Sequence, residues 1–214
     1  MKIIRNNFKT LFLLLFVGFA FTSCSKDDDT NPDTKNDDLK TGNATAVIGV
    51  DNQTIQFSSD NENSFATKVN TKIGENEIDQ LVIVMMDEDS DVMIVAQAAP
   101  APDNAITYDL SKPLTEDSFF TAGVGVEGKN SSDDKTYGVG TYQQGNDLVI
   151  QSKGTFKITS LSSTTIKGTF EMTLYNNYDP NDAQDAKKLT ITKGTFDLPI
   201  VELNEKDLGD LGLD

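Results

Sequence analysis

The chain has 214 residues, with 18 Lys and Arg against 34 Asp and Glu for a formal charge of −16, no histidine, no tryptophan and a single cysteine. A nucleic-acid binder needs a cationic footprint to displace counterions from phosphates, and this composition supplies none; adsorption to anionic lipid by charge is disfavoured for the same reason. The lack of histidine removes imidazole triads, the usual general base and most zinc sites, and the lone cysteine leaves no internal disulfide.

At the N-terminus, Lys2, Arg5 and Lys9 form a short positive region, followed by an apolar run from Leu11 to Phe21. A bilayer core of about 30 Å needs roughly 20 apolar residues, so this run is too short to span it. It suits a secretory signal instead, with small residues at Thr22 and Ser23 before the cleavage point. We therefore expect a signal peptide over residues 1–23, whose removal lowers the formal charge from −16 to −19 as Lys2, Arg5 and Lys9 are lost. The stretch Phe21-Thr22-Ser23-Cys24 resembles a lipobox, with Phe21 where that pattern prefers leucine, and the resemblance implies lipid attachment at Cys24. Two acyl chains suffice for stable anchoring, so the membrane is the first expected partner. Ser25, Lys26, Asp27, Asp28 and Asp29 follow directly and resemble the surface-export signal of Bacteroidetes-type lipoproteins. That resemblance implies the outer membrane, with the protein facing the cell exterior.

Residues 24–43 hold the lipidated cysteine and an acidic tether. Leu39 is the one large apolar side chain after Cys24 there, too little to offset the ordering entropy, so disorder is expected. The folded domain is expected over 44–202 and an acidic, Gly-punctuated flexible tail over 203–214. Within the domain the hydrophobic period is two. Short strands are expected at Ala46–Val50, Thr54–Ser58 and Phe65–Val69. Gln80–Met86 and Val92–Ala96 are apolar on both parities and read as a central hairpin covered on both sides, with Asp87–Asp91 as its turn. Further strands are expected at Phe119–Glu127 and Thr136–Tyr142. Leu148 to Ile158 then reads as one alternating strand, and Ile166 to Leu174 as another. The fold class expected is all-β, an antiparallel β-sandwich or barrel-like domain, with a lipocalin-like barrel as the alternative.

Three segments repeat: Lys153-Gly-Thr-Phe, Lys167-Gly-Thr-Phe and Lys193-Gly-Thr-Phe, each followed by a polar and then an apolar residue. Phe156, Phe170 and Phe196 are expected to point inward beside glycines that let the sheet bend. Leu189 and Ile191 have odd parity while Phe196, Leu198 and Ile200 have even parity, so a bulge is expected near Thr192 to Gly194. With the lead-in Ile191-Thr192-Lys193-Gly194 and an opening hairpin turning at Asp51-Asn52, residues 150–200 resemble a group of small Bacteroidetes lipoproteins. The resemblance implies an all-β domain and carries over no catalytic residue.

No side-chain constellation marks catalysis. A carboxylate pair could serve a glycoside hydrolase, but no pair sits in an apolar setting that would separate two pKa values. Asp87, Asp89 and Asp91 alternate like the start of an EF-hand loop, yet Val92 stands where glycine is required and Ala98 where the bidentate glutamate belongs. Asp179, Asn181, Asp182 and Asp185 form a second oxygen-rich loop that would suit calcium, against the simpler reading of a solvated loop. The most unusual pattern is glycine. A hairpin closing around Asn130–Asp133 would set Gly123 opposite Gly140 and Gly125 opposite Gly138, a bare strip flanked by Phe119 and Tyr142. Such a strip either binds a ring or backbone at close range or serves strand curvature and tight packing. The expected function is a non-catalytic binding or adhesion module without a cofactor, whose partner is an extracellular glycan, a peptide or an envelope protein. The alternatives are a carrier of a small apolar ligand and a carboxylate-dependent hydrolase.

Overall fold

The computed structural model describes residues 41–60, 63–73, 76–112, 119–127, 135–144, 147–176 and 187–203. Residues 1–40, which include Cys24 and Ser25 to Asp29, lie outside them, as does the 204–214 stretch of the tail. Described residues up to Val201 belong to one compact unit. It is all-β, as expected, and among the described residues there is no helix. The strands are β1 (Asn43–Val50), β2 (Gln53–Ser59), β3 (Phe65–Ile73), β4 (Asn76–Asp87), β5 (Val92–Ala99), β6 (Ile106–Asp109) and β7 (Phe119–Val126). They continue with β8 (Lys135–Gly138), β9 (Thr141–Gln144), β10 (Asp147–Gln151), β11 (Lys153–Leu161), β12 (Thr165–Asn176) and β13 (Lys188–Val201).

Eleven strands form one sheet that folds over into two antiparallel layers, β2-β1-β13-β12-β11-β6 and β3-β4-β5-β7-β8. The layers join at two corners. Ile200 and Val201 pair in parallel with Ala66 and Thr67, and Tyr175 and Asn176 pair with Gly138 and Tyr137. The corners lie at opposite ends of the long β12–β13 ribbon, so β12, β13, β3, β4, β5, β7 and β8 close into a ring. The parallel contact is the one departure from the antiparallel expectation. It arises because β13 runs past the end of β1 and meets β3 on the same edge.

Period-two alternation decides which side chains enter the core. On β12, Ile166, Phe170, Met172 and Leu174 are buried while Lys167, Thr169 and Glu171 are exposed. Burying each such apolar side chain contributes about 1.5–3 kcal/mol. Both faces of the central hairpin are buried, as its apolar parities implied. Leu81, Ile83 and Met85 join the main core with Val92, Ile94 and Ala96. Val82, Val84 and Met93 lie outside that cluster and are buried as well.

The Gly-Thr-Phe repeats meet in this core. Phe156 and Phe170 are direct cross-strand partners, and Phe170 and Phe196 lie opposite Gly194 and Gly168. The rings stack in sequence from layer to layer. Tyr108 and Phe120 stack at 4.4 Å, Phe120 meets Phe156 tilted at 5.0 Å, and Phe156 and Phe196 stack at 5.2 Å, separations at or close to those of favourable aromatic pairs. The glycines make room for the rings of the neighbouring strand. A Cβ at Gly168 would lie 2.3 Å from Phe196 Cζ, and one at Gly194 2.6 Å from Phe170 Cδ2. The bulge expected in β13 is present. Its register slips between Gly194 and Ile191 against β12, and Lys193 adopts a φ of 55°.

Two expected strands are broken. Leu148 to Ile158 divides at Ser152, because the Ser152 backbone N–H donates to the Gly140 carbonyl (2.9 Å) and its hydroxyl accepts from the Gly140 N–H (2.9 Å). Thr136 to Tyr142 divides at Val139 and Gly140 for the same reason. The released pieces, β9 and β10, pair in a separate two-stranded sheet. Strand β6 was not foreseen, because four residues are too short a window for a period to register.

Candidate functional site

Strand β7 places Phe119, Thr121, Gly123 and Gly125 on the outward face of its layer and sends Phe120, Ala122 and Val124 into the core. Strand β8 sends Tyr137 inward, so Gly138 and Thr136 lie outward with the glycines. Gly123 pairs with Gly138 and Gly125 with Thr136. The hairpin is thus two residues out of the expected register. An even slip preserves parity, so the glycines keep the face foreseen for them. Gly140 does not join the strip; it is drawn to the corner by its two hydrogen bonds with Ser152. Tyr142 falls on β9, in the other sheet. Phe119 remains at the far end, opposite Ala99.

The strip continues across β5, where Val95 pairs with Gly123 and Met93 with Gly125. A Cβ added at Gly125 would meet no atom within 4 Å, unlike Gly154, Gly168 and Gly194, where it would strike backbone or a ring. Tight packing therefore does not explain Gly125. Gly125→Ala is expected to leave the stability measured by urea denaturation unchanged within about 0.5 kcal/mol. A loss above about 2 kcal/mol would return the residue to a packing role.

Polar groups that sequence reading missed share this face. Thr67 and Gln97 are 0 % and 7 % exposed, yet among the described residues Thr67 Oγ1 and Gln97 Oε1 have no hydrogen-bond partner. Gln97 donates its amide N–H to Gln80 Oε1. Thr67 and Gln97 both pair with Val82, so the two orphans lie in one cross-strand row, ending at Thr121. A buried unsatisfied acceptor costs about 1–3 kcal/mol. The signal in the sequence was a pair of glutamines in otherwise apolar strands.

The remaining candidate groups are structural or lie elsewhere. Asp87 is buried and organises the β4–β5 turn. Its Oδ1 accepts from the backbone N–H of Asp89 (3.1 Å) and Ser90 (3.3 Å), and its Oδ2 from Ser90 Oγ (2.7 Å) and the Ser58 N–H (2.9 Å). Lys135 Nζ lies 2.5 Å from Asp51 Oδ2 and holds that carboxyl below its ordinary range. Burial pushes the Tyr137 phenol up, and the Asp51 charge adds to it. Asp179, Asn181, Asp182 and Asp185 lie outside the described residues, so the calcium expectation has no geometry. Among the described residues no three His, Cys, Asp or Glu are grouped to hold a metal, and no helix is long and apolar enough to cross a membrane. No protein-family model matches the chain, and no curated protein or solved structure matches it either.

Proposed function

We propose that the protein is an outer-membrane lipoprotein of the Bacteroidetes surface type, anchored through Cys24, facing outward, and acting as a non-catalytic binding or adhesion module. The lipobox-like residues 21–24 and the acidic run behind them support the address. Strand β1 begins at Asn43, so the intervening polar residues suffice for a tether. The observation that carries the binding reading is the open space over Gly125 on the outward side of β7; Thr67 Oγ1 and Gln97 Oε1, in strands of the same layer, are unpartnered among the described residues but buried. A partner that lays a ring or an extended backbone close against bare sheet, such as a glycan or a peptide, suits that space. The carrier alternative needs a cavity where the rings of Phe120, Phe156, Phe170 and Phe196 pack against one another.

The address is tested by shaving intact cells with protease. The wild type is expected to be removed, while a variant with Lys26 to Asp29 replaced by alanine is spared. If lysed cells lose both and intact cells neither, outward display is wrong.

A further inference from the structure

The outward face of the β1-β13-β12-β11 layer differs in charge from the chain as a whole. One cross-strand row reads Thr45, Thr195, Thr169, Lys157 and Thr107, on strands about 4.8 Å apart. The hydroxyls of Thr45 and Thr195 share a hydrogen bond of 2.9 Å. Lys167 on this face is paired with Asp197 at 2.6 Å. By contrast, among the described residues Lys153, Lys157 and Lys193 are exposed and enter no ion pair. They stand around Glu171, whose neighbours are Thr155 on β11 and the Thr192–Lys193 bulge on β13.

Lys193 supplies a second observation. Its φ of 55° is a conformation that glycine adopts freely and that costs a lysine steric strain. The bulge turns both Thr192 and Lys193 to solvent, adding an ammonium to the face that a regular strand would not present. The bulge itself serves the change of register in β13; what the register does not require is a lysine, where glycine would relieve the strain.

We propose that this face binds an acidic polysaccharide, with uronate carboxylates on the ammonium groups of Lys153, Lys157 and Lys193 and sugar hydroxyls on the threonine row. The charge excess is small, so the face lacks the dense footprint that phosphate backbones require. A uronate polymer alternates sparse carboxylates with many hydroxyls and matches the mixture of lysine and threonine. The inference rests on the reading of the protein as an outward-facing binding module and supplies a ligand class for it.

The test is electrophoresis of the purified chain through native gels containing polygalacturonate, dextran or no polymer. The wild type is expected to be retarded by polygalacturonate alone, and less so as salt is added. Each of K153A, K157A and K193G is expected to weaken retardation about fivefold. K193G is expected to do so with its melting temperature unchanged or raised, a combination that a merely structural lysine would not give. The proposal is overturned if the wild type migrates alike in all gels, if dextran retards it equally, or if K193G binds as the wild type does. Displacement by single-stranded DNA at equal charge concentration would overturn the choice of a glycan. The assay uses purified protein, so it can succeed or fail independently of the protease test for outward display.

Discussion

Replacing Phe156 with alanine is expected to cost about 4 kcal/mol of folding stability, the largest effect of any single truncation in the core. Phe156 is fully buried and, with Tyr108, is a ring through which the two layers touch. It lies 5.0 Å from Phe120 of one layer and 5.8 Å and 5.2 Å from Phe170 and Phe196 of the other. The loss combines the transfer of a large apolar side chain, the cavity left behind and three ring contacts worth about 0.5–1.5 kcal/mol each. Gly168 and Gly194 already yield their space to Phe196 and Phe170, so no neighbouring side chain stands ready to fill the hole. Urea denaturation followed by far-ultraviolet circular dichroism checks this. A cost under about 2 kcal/mol would mean that the rings collapse into the vacancy and that the ladder adds little beyond its area.

Asp87→Ala is expected to cost about 3 kcal/mol, although it removes no apolar surface. The carboxylate gathers two turn N–H groups, a serine hydroxyl and the N–H of Ser58 from β2. Three of its contacts shape the β4–β5 turn, and the bond to Ser58 ties the edge of one layer to the tip of the other. Truncation leaves these donors without an acceptor in a part-buried position, where the penalty of an unmade hydrogen bond is largest. Asp87→Asn should fall between, because its amide keeps one acceptor oxygen but turns two hydrogens towards donors. The midpoint should move with the denaturant slope unchanged. A shift of less than about 1 kcal/mol for the alanine variant would show that water takes over the acceptor role.

Both residues stood in plain view in the sequence with different legibility. Phe156 was readable because it recurs in a Lys-Gly-Thr-Phe frame whose parity sends the ring inward. Asp87 read as one charge among several at a hairpin tip. Its burial depends on Ser58, which is 29 residues away in sequence, and no local pattern encodes that meeting. The glycine strip shows the intermediate case. Parity put Gly123, Gly125 and Gly138 on one face without knowledge of the turn, while the register, and with it the fate of Gly140, waited on Ser152. The burial of Thr67 was invisible, because a threonine in a strand ordinarily faces water; for Gln97 the one signal was its place, like that of Gln80, beside an apolar run.

By itself the sequence determined the all-β class, the hairpins at Asp51-Asn52 and Asp87–Asp91, the inward phenylalanines and a bulge near Thr192 to Gly194. All of these follow from alternation and turn chemistry, which act over a few residues. Only the tertiary structure decided that the sheet closes through Ile200–Val201 and Tyr175–Asn176. It likewise decided that strands expected to be continuous break beside Gly140, and that Lys153, Lys157 and Lys193 gather around Glu171. Those outcomes depend on pairings between segments far apart in the chain, where burial and hydrogen bonding are satisfied jointly and no single segment carries the information.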